Sequence, residues 1–135
     1  METRFPADGM ALTQLLVVSD TQRSRAFYCD VLGAELYREY GSSVVLRFLD
    51  TWLLLVNGGP PTPDKPGVVF APPTDPATVS HEMTIRVPDC RGAYETLRAR
   101  GAVFLTEPVV YDWEIRAFFR DPDGHMIEIS EARSR

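Results

Sequence analysis

Apolar and polar residues alternate along the chain in two stretches that match one another. The stretches read LTQLLVVSDTQRSRAFYCDVLGAEL and SHEMTIRVPDCRGAYETLRARGAVF. Asp20 aligns with Asp89, 69 residues later, and Gly33 aligns with Gly101, 68 residues later. One repeat therefore holds one more residue than the other between these positions. Self-similarity of this kind predicts a duplicated structural unit.

Each repeat predicts the same order of elements, which is a strand, a helix and three further strands. In each, an Asp can cap the start of the helix and a Gly can end it. In the first repeat the pattern predicts a helix at Thr21–Leu32 and strands at Thr13–Val18, Glu35–Tyr40, Val44–Leu49 and Trp52–Val56. In the second it predicts a helix at Arg91–Arg100 and strands at Glu82–Val87, Val103–Glu107, Glu114–Phe119 and Met126–Ser130.

This order of elements predicts an α+β fold of two tandem βαβββ modules in a single domain of residues 1–135. Module 1 covers about residues 12–57, a linker rich in Pro and Gly covers about 58–80, and module 2 covers about 81–131. One helix can cover only one face of each sheet. Two modules side by side are therefore expected to form a curved mixed sheet, a cup or half-barrel, with the helices outside and a ligand in the hollow.

Composition restricts the partners of such a domain. The chain has 135 residues and a net charge of −5, and 13 of its 14 basic residues are scattered arginines, which argues against a nucleic-acid partner. Its two cysteines, Cys29 and Cys90, form no CxxC motif and fit unpaired thiols in a reducing cytoplasm. No apolar run is long enough for a signal peptide or a membrane span, so a cytoplasmic protein without a membrane partner is expected.

Two segments, RAFYCDVLGAEL and FFRDPDGHMIEISE, together with the paired modules, resemble the vicinal oxygen chelate superfamily. This superfamily contains glyoxalases, extradiol dioxygenases, and bleomycin- and fosfomycin-resistance proteins. The resemblance extends from about Leu12 to Glu131. It implies the fold more specifically than the reaction, because one scaffold can host several chemistries.

The resemblance implies a metal ligand on the last strand of module 2, and Glu128 holds that position. Further ligands, usually His, are implied on the first strand of each module, where this chain has Thr13 and Glu82. The strand Trp52–Val56 offers no carboxylate. Glu82 and Glu128 are therefore the predicted ligands of a divalent metal. Mn, Mg, Fe, Ni and Zn all remain open, although oxygen donors favour a hard cation, and no organic cofactor is expected.

Strand alternation predicts which side chains line the cup, because successive side chains point to opposite faces. If Glu82 faces inward, the residues two and four positions later do so as well. The predicted substrate-binding residues are Thr84, Arg86, Arg116, Phe118 and Trp52. Glu128 is the predicted catalytic residue. The two acids can hold a cation, move a proton or pair with the arginines, which can instead clamp an anionic substrate.

Each candidate also has a purely structural interpretation. Glu82 and Glu128 can be acids that balance neighbouring arginines on the sheet. His125 follows a turn glycine and is expected in a turn or supporting role, and His81 is expected to cap or hydrogen-bond at a strand start. Cys29 is expected to pack in or beside the helix, because no cationic pattern around it indicates a thiolate.

The residues leave more than one function open. The resemblance implies a glyoxalase-like enzyme, of lyase, isomerase or dioxygenase type, that acts on a small molecule in the cup with a divalent metal. The alternative is a metal-free binding protein of the bleomycin-resistance type, which Thr13 and Glu82 in place of His favour. A metal-free enzyme with Glu128 as a base is a third hypothesis. A homodimer is expected, because two-module chains of the superfamily usually dimerise.

Overall fold

Module 1 forms its own four-stranded sheet, sheet 1, in the computed structural model of the chain, which describes residues 3–134. Its elements are β1 (Thr13–Val18), α1 (Thr21–Ala26) with a π-helical continuation (Phe27–Val31), β2 (Glu35–Glu39), β3 (Ser43–Phe48) and β4 (Thr51–Asn57). The strand order is β1-β4-β3-β2. β1 runs parallel to β4, and the other pairs are antiparallel.

Module 2 repeats this arrangement in a second four-stranded sheet, sheet 2. Its elements are β5 (Glu82–Arg86), α2 (Cys90–Ala99), β6 (Val109–Val110), β7 (Glu114–Arg120) and β8 (Met126–Ala132). The strand order is β5-β8-β7-β6, again with a parallel pair between the first and last strands. The predicted α+β class and the two βαβββ modules are thereby confirmed.

The strand predicted at Val103–Glu107 is wrong. This segment meets β7 only at a bridge between Phe104 and Phe119, and a two-residue strand follows at Val109–Val110. Val109 pairs with Arg116, so five residue steps on the edge segment correspond to three on β7. The two additional residues of the edge segment do not pair with β7. They lie before or at Pro108, which has no backbone N–H to donate to a neighbouring strand.

The two helices differ by the extra residue that the repeats revealed. From Asp20 to Gly33 the chain takes 13 steps, whereas from Asp89 to Gly101 it takes 12. The structure accommodates this residue in the π-helical continuation of α1, where the wider turn holds one more residue per hydrogen-bonded ring. Both starts are capped as predicted, because the Asp20 and Asp89 side chains accept backbone N–H groups of the first turn.

Both sheets and both helices contribute to one buried apolar cluster. It contains Leu16 and Val18 of β1, Leu53 and Leu55 of β4, Tyr94 and Leu97 of α2, and Ile127 and Ile129 of β8. Phe27 joins the halves, because its ring centre lies 6.4 Å from that of Phe119 on β7. The apolar faces of the two sheets thus turn toward the helices. The opposite face of each sheet, called its open face below, points away from this core.

The turn between β7 and β8 holds the two modules together through polar contacts. The Tyr28 hydroxyl donates a buried 2.8 Å hydrogen bond to Asp121. Asp123 accepts from the backbone N–H of Ser19 at 3.0 Å, and a ring nitrogen of His125 lies 2.8 Å from the Val17 carbonyl oxygen. The expected turn role of His125 is confirmed. This turn therefore fixes how module 2 sits on the start of α1 and the end of β1.

No helix within residues 3–134 has both the length and the apolar content required to cross a membrane.

We expect Tyr28→Phe to lower the free energy of unfolding by about 1–3 kcal/mol, because it leaves one oxygen of the buried Asp121 carboxylate without its donor. Burial and the adjacent Asp121 carboxylate raise the pKa of Tyr28 well above its usual value, so the hydroxyl keeps its proton. Urea unfolding measures the loss. Tyr37→Phe, at a side chain that is 58% exposed, is the matched control and should change stability little. Equal stabilities of the two variants would contradict the importance of this contact.

Candidate functional site

The open face of sheet 2 gathers the predicted acids and arginines in two adjacent rows. In one row Thr84 and Phe118 lie on either side of Glu128. In the next row Arg86 and Arg116 lie on either side of Ser130. Six of the predicted site residues lie on this face: Glu82, Thr84, Arg86, Arg116, Phe118 and Glu128. The alternation of side chains along each strand, counted from Glu82, therefore predicted correctly that these side chains share one face.

Glu82 and Glu128 are neighbouring acids on adjacent, paired strands of this face. Glu128 is only 8% exposed, which makes it one of the few buried charged residues within residues 3–134. Burial raises the pKa of Glu128 to about 7, with further contributions from the hydrogen bond to Glu82 and the negative charges of Glu82 and Glu114. The Thr84 hydroxyl donates to Glu82 at 3.0 Å. Near neutral pH the Glu128 carboxyl group can thus both accept and release a proton.

Glu114 is a third acid on this face that the sequence interpretation did not name. Its Oε1 lies 3.1 Å from Nη1 of Arg116, and its Oε2 lies 3.9 Å from Nη2 of Arg86. Its side chain is only 12% exposed. The signal was present in the sequence, because Glu114 stands two positions before Arg116 on a strand and so shares its face.

Aromatic rings hold the guanidinium group of Arg116 in place. The group lies 4.6 Å from the ring centre of Tyr111 and 5.6 Å from that of Phe118. With the Glu114 contact, these rings restrict the orientation of a side chain that is still 33% exposed. Arg116 is therefore a preorganised hydrogen-bond donor that solvent or a ligand can reach.

Ser130 is fully buried between the two arginines in the strand register. Its Oγ has no hydrogen-bond partner among the residues that the structure describes. A buried hydroxyl without a partner is uncommon in folded proteins and marks a place where another polar group can bind.

Trp52 and Thr13 lie away from this group. They are cross-strand neighbours on sheet 1, whereas both predicted metal ligands are on sheet 2. Trp52 belongs to an aromatic cluster on the open face of sheet 1, with Tyr37 at 4.9 Å between ring centres and the Arg47 guanidinium at 4.6 Å. The structure thus divides the predicted cup residues between two separate sheets.

Two grooves lie beside the outer edges of the first strands. A groove of about 370 Å³ runs between β5 and the β3–β4 turn, and its lining includes Glu82, Thr84, Arg86 and Leu49. A second groove of about 580 Å³ lies between β1 and the linker, and both histidines of the chain, His81 and His125, line it. The first groove therefore gives solvent access to one side of the acid–arginine face.

The donor set on this face does not fit a metal centre of the expected kind. Catalytic metal centres of the zinc type use three protein ligands. Glu82 and Glu128 supply only two carboxyl ligands on sheet 2, and Thr13 is on the other sheet. Nowhere between residues 3 and 134 do three or more His, Cys, Asp or Glu side chains converge as metal ligands. The assignment of a metal to Glu82 and Glu128 stays a prediction.

A family model described as the Glyoxalase/Bleomycin resistance protein/Dioxygenase superfamily matches residues 10–129. A curated lactoylglutathione lyase from Salmonella typhimurium is 33% identical over 136 aligned positions, which cover 90% of this chain and 92% of the relative.

Two solved structures have the same fold as this chain. One is TnmS3, an antibiotic-binding protein from Streptomyces sp. CB03234, with a TM-score of 0.68, 22% identity and coverage of 94% and 98% of the two chains. The other is the fosfomycin resistance protein FosX from Listeria monocytogenes, complexed with Mn(II) and sulfate, with a TM-score of 0.69, 15% identity and coverage of 94% and 92%. At these identities the likeness shows the fold alone.

We expect Glu82→Gln to lower the pKa of Glu128 from its value of about 7, because the variant removes a negative charge that opposes ionisation of Glu128. Glu128 then loses its proton at lower pH. A carbon-13 NMR titration of the Glu128 carboxyl carbon measures the change. Glu107→Gln, at an exposed acid outside the face, is the matched control and should leave the titration unchanged. An unchanged titration in Glu82→Gln would show that the two carboxyl groups do not interact.

Proposed function

The chain belongs to the Glyoxalase/Bleomycin resistance protein/Dioxygenase superfamily, and we propose that it binds a small organic molecule on the open face of sheet 2 without a divalent metal. The observation that carries this proposal is the set of side chains on the face: Arg86 and Arg116 both contact the acid Glu114, and nowhere within residues 3–134 do three or more His, Cys, Asp or Glu side chains converge as metal ligands. Glu82 and Glu128 alone are fewer ligands than a catalytic metal centre uses. Together with the arginines they offer acceptors and donors to a polar ligand.

The surroundings of the carboxyl pair support a polar, partly anionic ligand. Arg116 is oriented by two aromatic rings and remains 33% exposed, so its free N–H groups can donate to a ligand oxygen. Thr84 is exposed beside Glu82, and the Phe118 ring lies next to Glu128 on the same face. A ligand of this kind can combine a hydrogen bond to an acid, an ion pair and an apolar contact.

We expect two copies of the chain to associate. The open face of sheet 1 exposes Leu15 by 43% and Tyr37 by 58%, next to the half-buried Trp52. Burial of such groups against a second copy is favourable, because it removes apolar surface from water. A homodimer can bring Trp52 of one copy toward the acids of the other and so complete a cup that one chain leaves divided.

An enzyme is the second candidate, and the pKa of about 7 at Glu128 favours it. A carboxyl group with a pKa near the working pH is an efficient general acid or base, as a lyase or isomerase of small molecules requires. The 33% identity to a lactoylglutathione lyase supports this class. FosX, which shares the fold, is a protein complexed with Mn(II), so metal-dependent chemistry is the alternative that a metal measurement must test.

Ligand binding can be followed through the two tryptophans, Trp52 and Trp113. We expect titration with bleomycin or with lactoylglutathione to change their fluorescence. Arg116→Gln should weaken this binding about tenfold, because it removes a charge-assisted hydrogen bond. Arg98→Gln on α2 is the control with the same loss of charge and should bind as the natural chain does. Equal weakening in both variants would contradict a ligand on the open face of sheet 2.

Metal binding separates the proposal from its alternative. After the protein is stripped and reloaded with Mn²⁺, Mg²⁺, Zn²⁺ or Ni²⁺, we expect elemental analysis to find no stoichiometric metal, because no set of three protein ligands converges within residues 3–134. Glu95→Gln, at an exposed acid of α2, controls for unspecific binding. Stoichiometric metal that is lost in both Glu82→Gln and Glu128→Gln would overturn the metal-free proposal.

A further inference from the structure

We propose that Arg86, Arg116 and Ser130 form an anion-binding site for a carboxylate or phosphate group, and that the Glu114 carboxylate fills this site from within the chain. An incoming anion would displace Glu114 and take over its two guanidinium partners. This inference rests on the proposed function, because it takes the open face of sheet 2 as the ligand-binding face. The inference names a chemical class of ligand, a carboxylate or phosphate group, and identifies Glu114 as a competitor for the same site within the chain.

The positions of the three residues define the site. Arg86, Ser130 and Arg116 are direct cross-strand neighbours on β5, β8 and β7, so they form one row across sheet 2. Neighbouring strands are about 4.8 Å apart, so the backbones of the two arginines, which lie two strands apart, are separated by about 10 Å. The Glu114 carboxylate contacts both arginines, one through each oxygen.

Glu114 satisfies this site only in part. Its contact with Arg116 is a 3.1 Å hydrogen bond, but its contact with Arg86 is a longer 3.9 Å ion pair. Ser130, which shares the face with both arginines, donates no hydrogen bond to Glu114, and its buried Oγ has no partner within the described part of the chain. An anion with an additional oxygen could accept from Ser130 as well as from both guanidinium groups.

The two arginines have complementary roles in an exchange of Glu114 for a ligand. Arg116 is held by the Tyr111 and Phe118 rings, so its guanidinium keeps its position when Glu114 leaves. Arg86 is 58% exposed and can move onto the incoming group. Because Glu114 competes from within the chain, a simple anion binds weakly. A ligand that also contacts Glu128 or Thr84 overcomes this competition. Glu114 therefore selects larger ligands with additional polar groups over simple anions.

The test removes the internal competitor and measures binding of simple anions. Isothermal titration calorimetry at constant ionic strength compares inorganic phosphate with acetate, which distinguishes a phosphate site from a carboxylate site. We expect Glu114→Gln to bind at least one of the two about tenfold more tightly than the natural chain, because both guanidinium groups become free. Asp112→Asn, at an exposed neighbour, makes the same change of net charge and should leave the affinity unaltered.

Two further variants guard against a general effect on charge or folding. Ser130→Ala in the Glu114→Gln background should lower the gained affinity about fivefold, because it removes one donor. Glu114→Asp keeps the charge but shortens the side chain, so it should bind the anion with intermediate affinity even if Glu114→Gln fails to fold. An affinity in Glu114→Asp or Glu114→Gln equal to that of the natural chain, or equal to that of Asp112→Asn, overturns the inference.

These outcomes are separate from those of the proposed function. If Arg116→Gln and Arg98→Gln bind bleomycin or lactoylglutathione equally but Glu114→Gln gains anion affinity, the proposed ligand face fails and the anion site stands. If Arg116→Gln selectively loses ligand but Glu114→Gln gains no anion affinity, the ligand face stands and the anion site fails.

Discussion

The hydrogen bond from the Tyr28 hydroxyl to the buried Asp121 carboxylate determines how the two halves of the chain meet. A buried carboxylate requires donors, and Asp121 also accepts the backbone N–H groups of Asp123 and His125 in the same turn. The turn that contains it also binds the end of β1. Both helices pack into the shared core, so the opposite face of each sheet is not covered by a helix.

The open face of sheet 2 brings the acids Glu82 and Glu128 next to Arg86 and Arg116. Burial and the neighbouring acids raise the pKa of Glu128 to about 7. Glu114 adds a third acid and is balanced by Arg86 and Arg116. On this face the two arginines thus contact Glu114, whereas Glu82 accepts a hydrogen bond from the Thr84 hydroxyl.

The order of elements and the inward residues could be predicted, because both depend on local periodicity. Asp20 and Asp89 cap the helices as expected, and Glu82 and Glu128 share a face as expected. Glu114 follows the same alternation, two positions before Arg116 on β7, but it lies outside the family motif FFRDPDGHMIEISE. The predicted strand at Val103–Glu107 is wrong for a different reason. The segment has apolar residues suitable for a strand, but only Phe104 forms a bridge with β7, and regular pairing begins at Val109.

The sequence by itself determined the duplication, the helix caps, and which side chains of each strand point the same way. The sequence also showed one extra residue between Asp20 and Gly33, which the structure accommodates in the π-helical continuation of α1. Only the tertiary structure decided that Trp52 and Glu128 lie on separate sheets, that Glu114 contacts two arginines, and that the Ser130 hydroxyl has no hydrogen-bond partner within residues 3–134. The physical reason is that alternation is a property of neighbouring residues. Which strands pair, and in what register, depends on contacts between residues far apart in the chain.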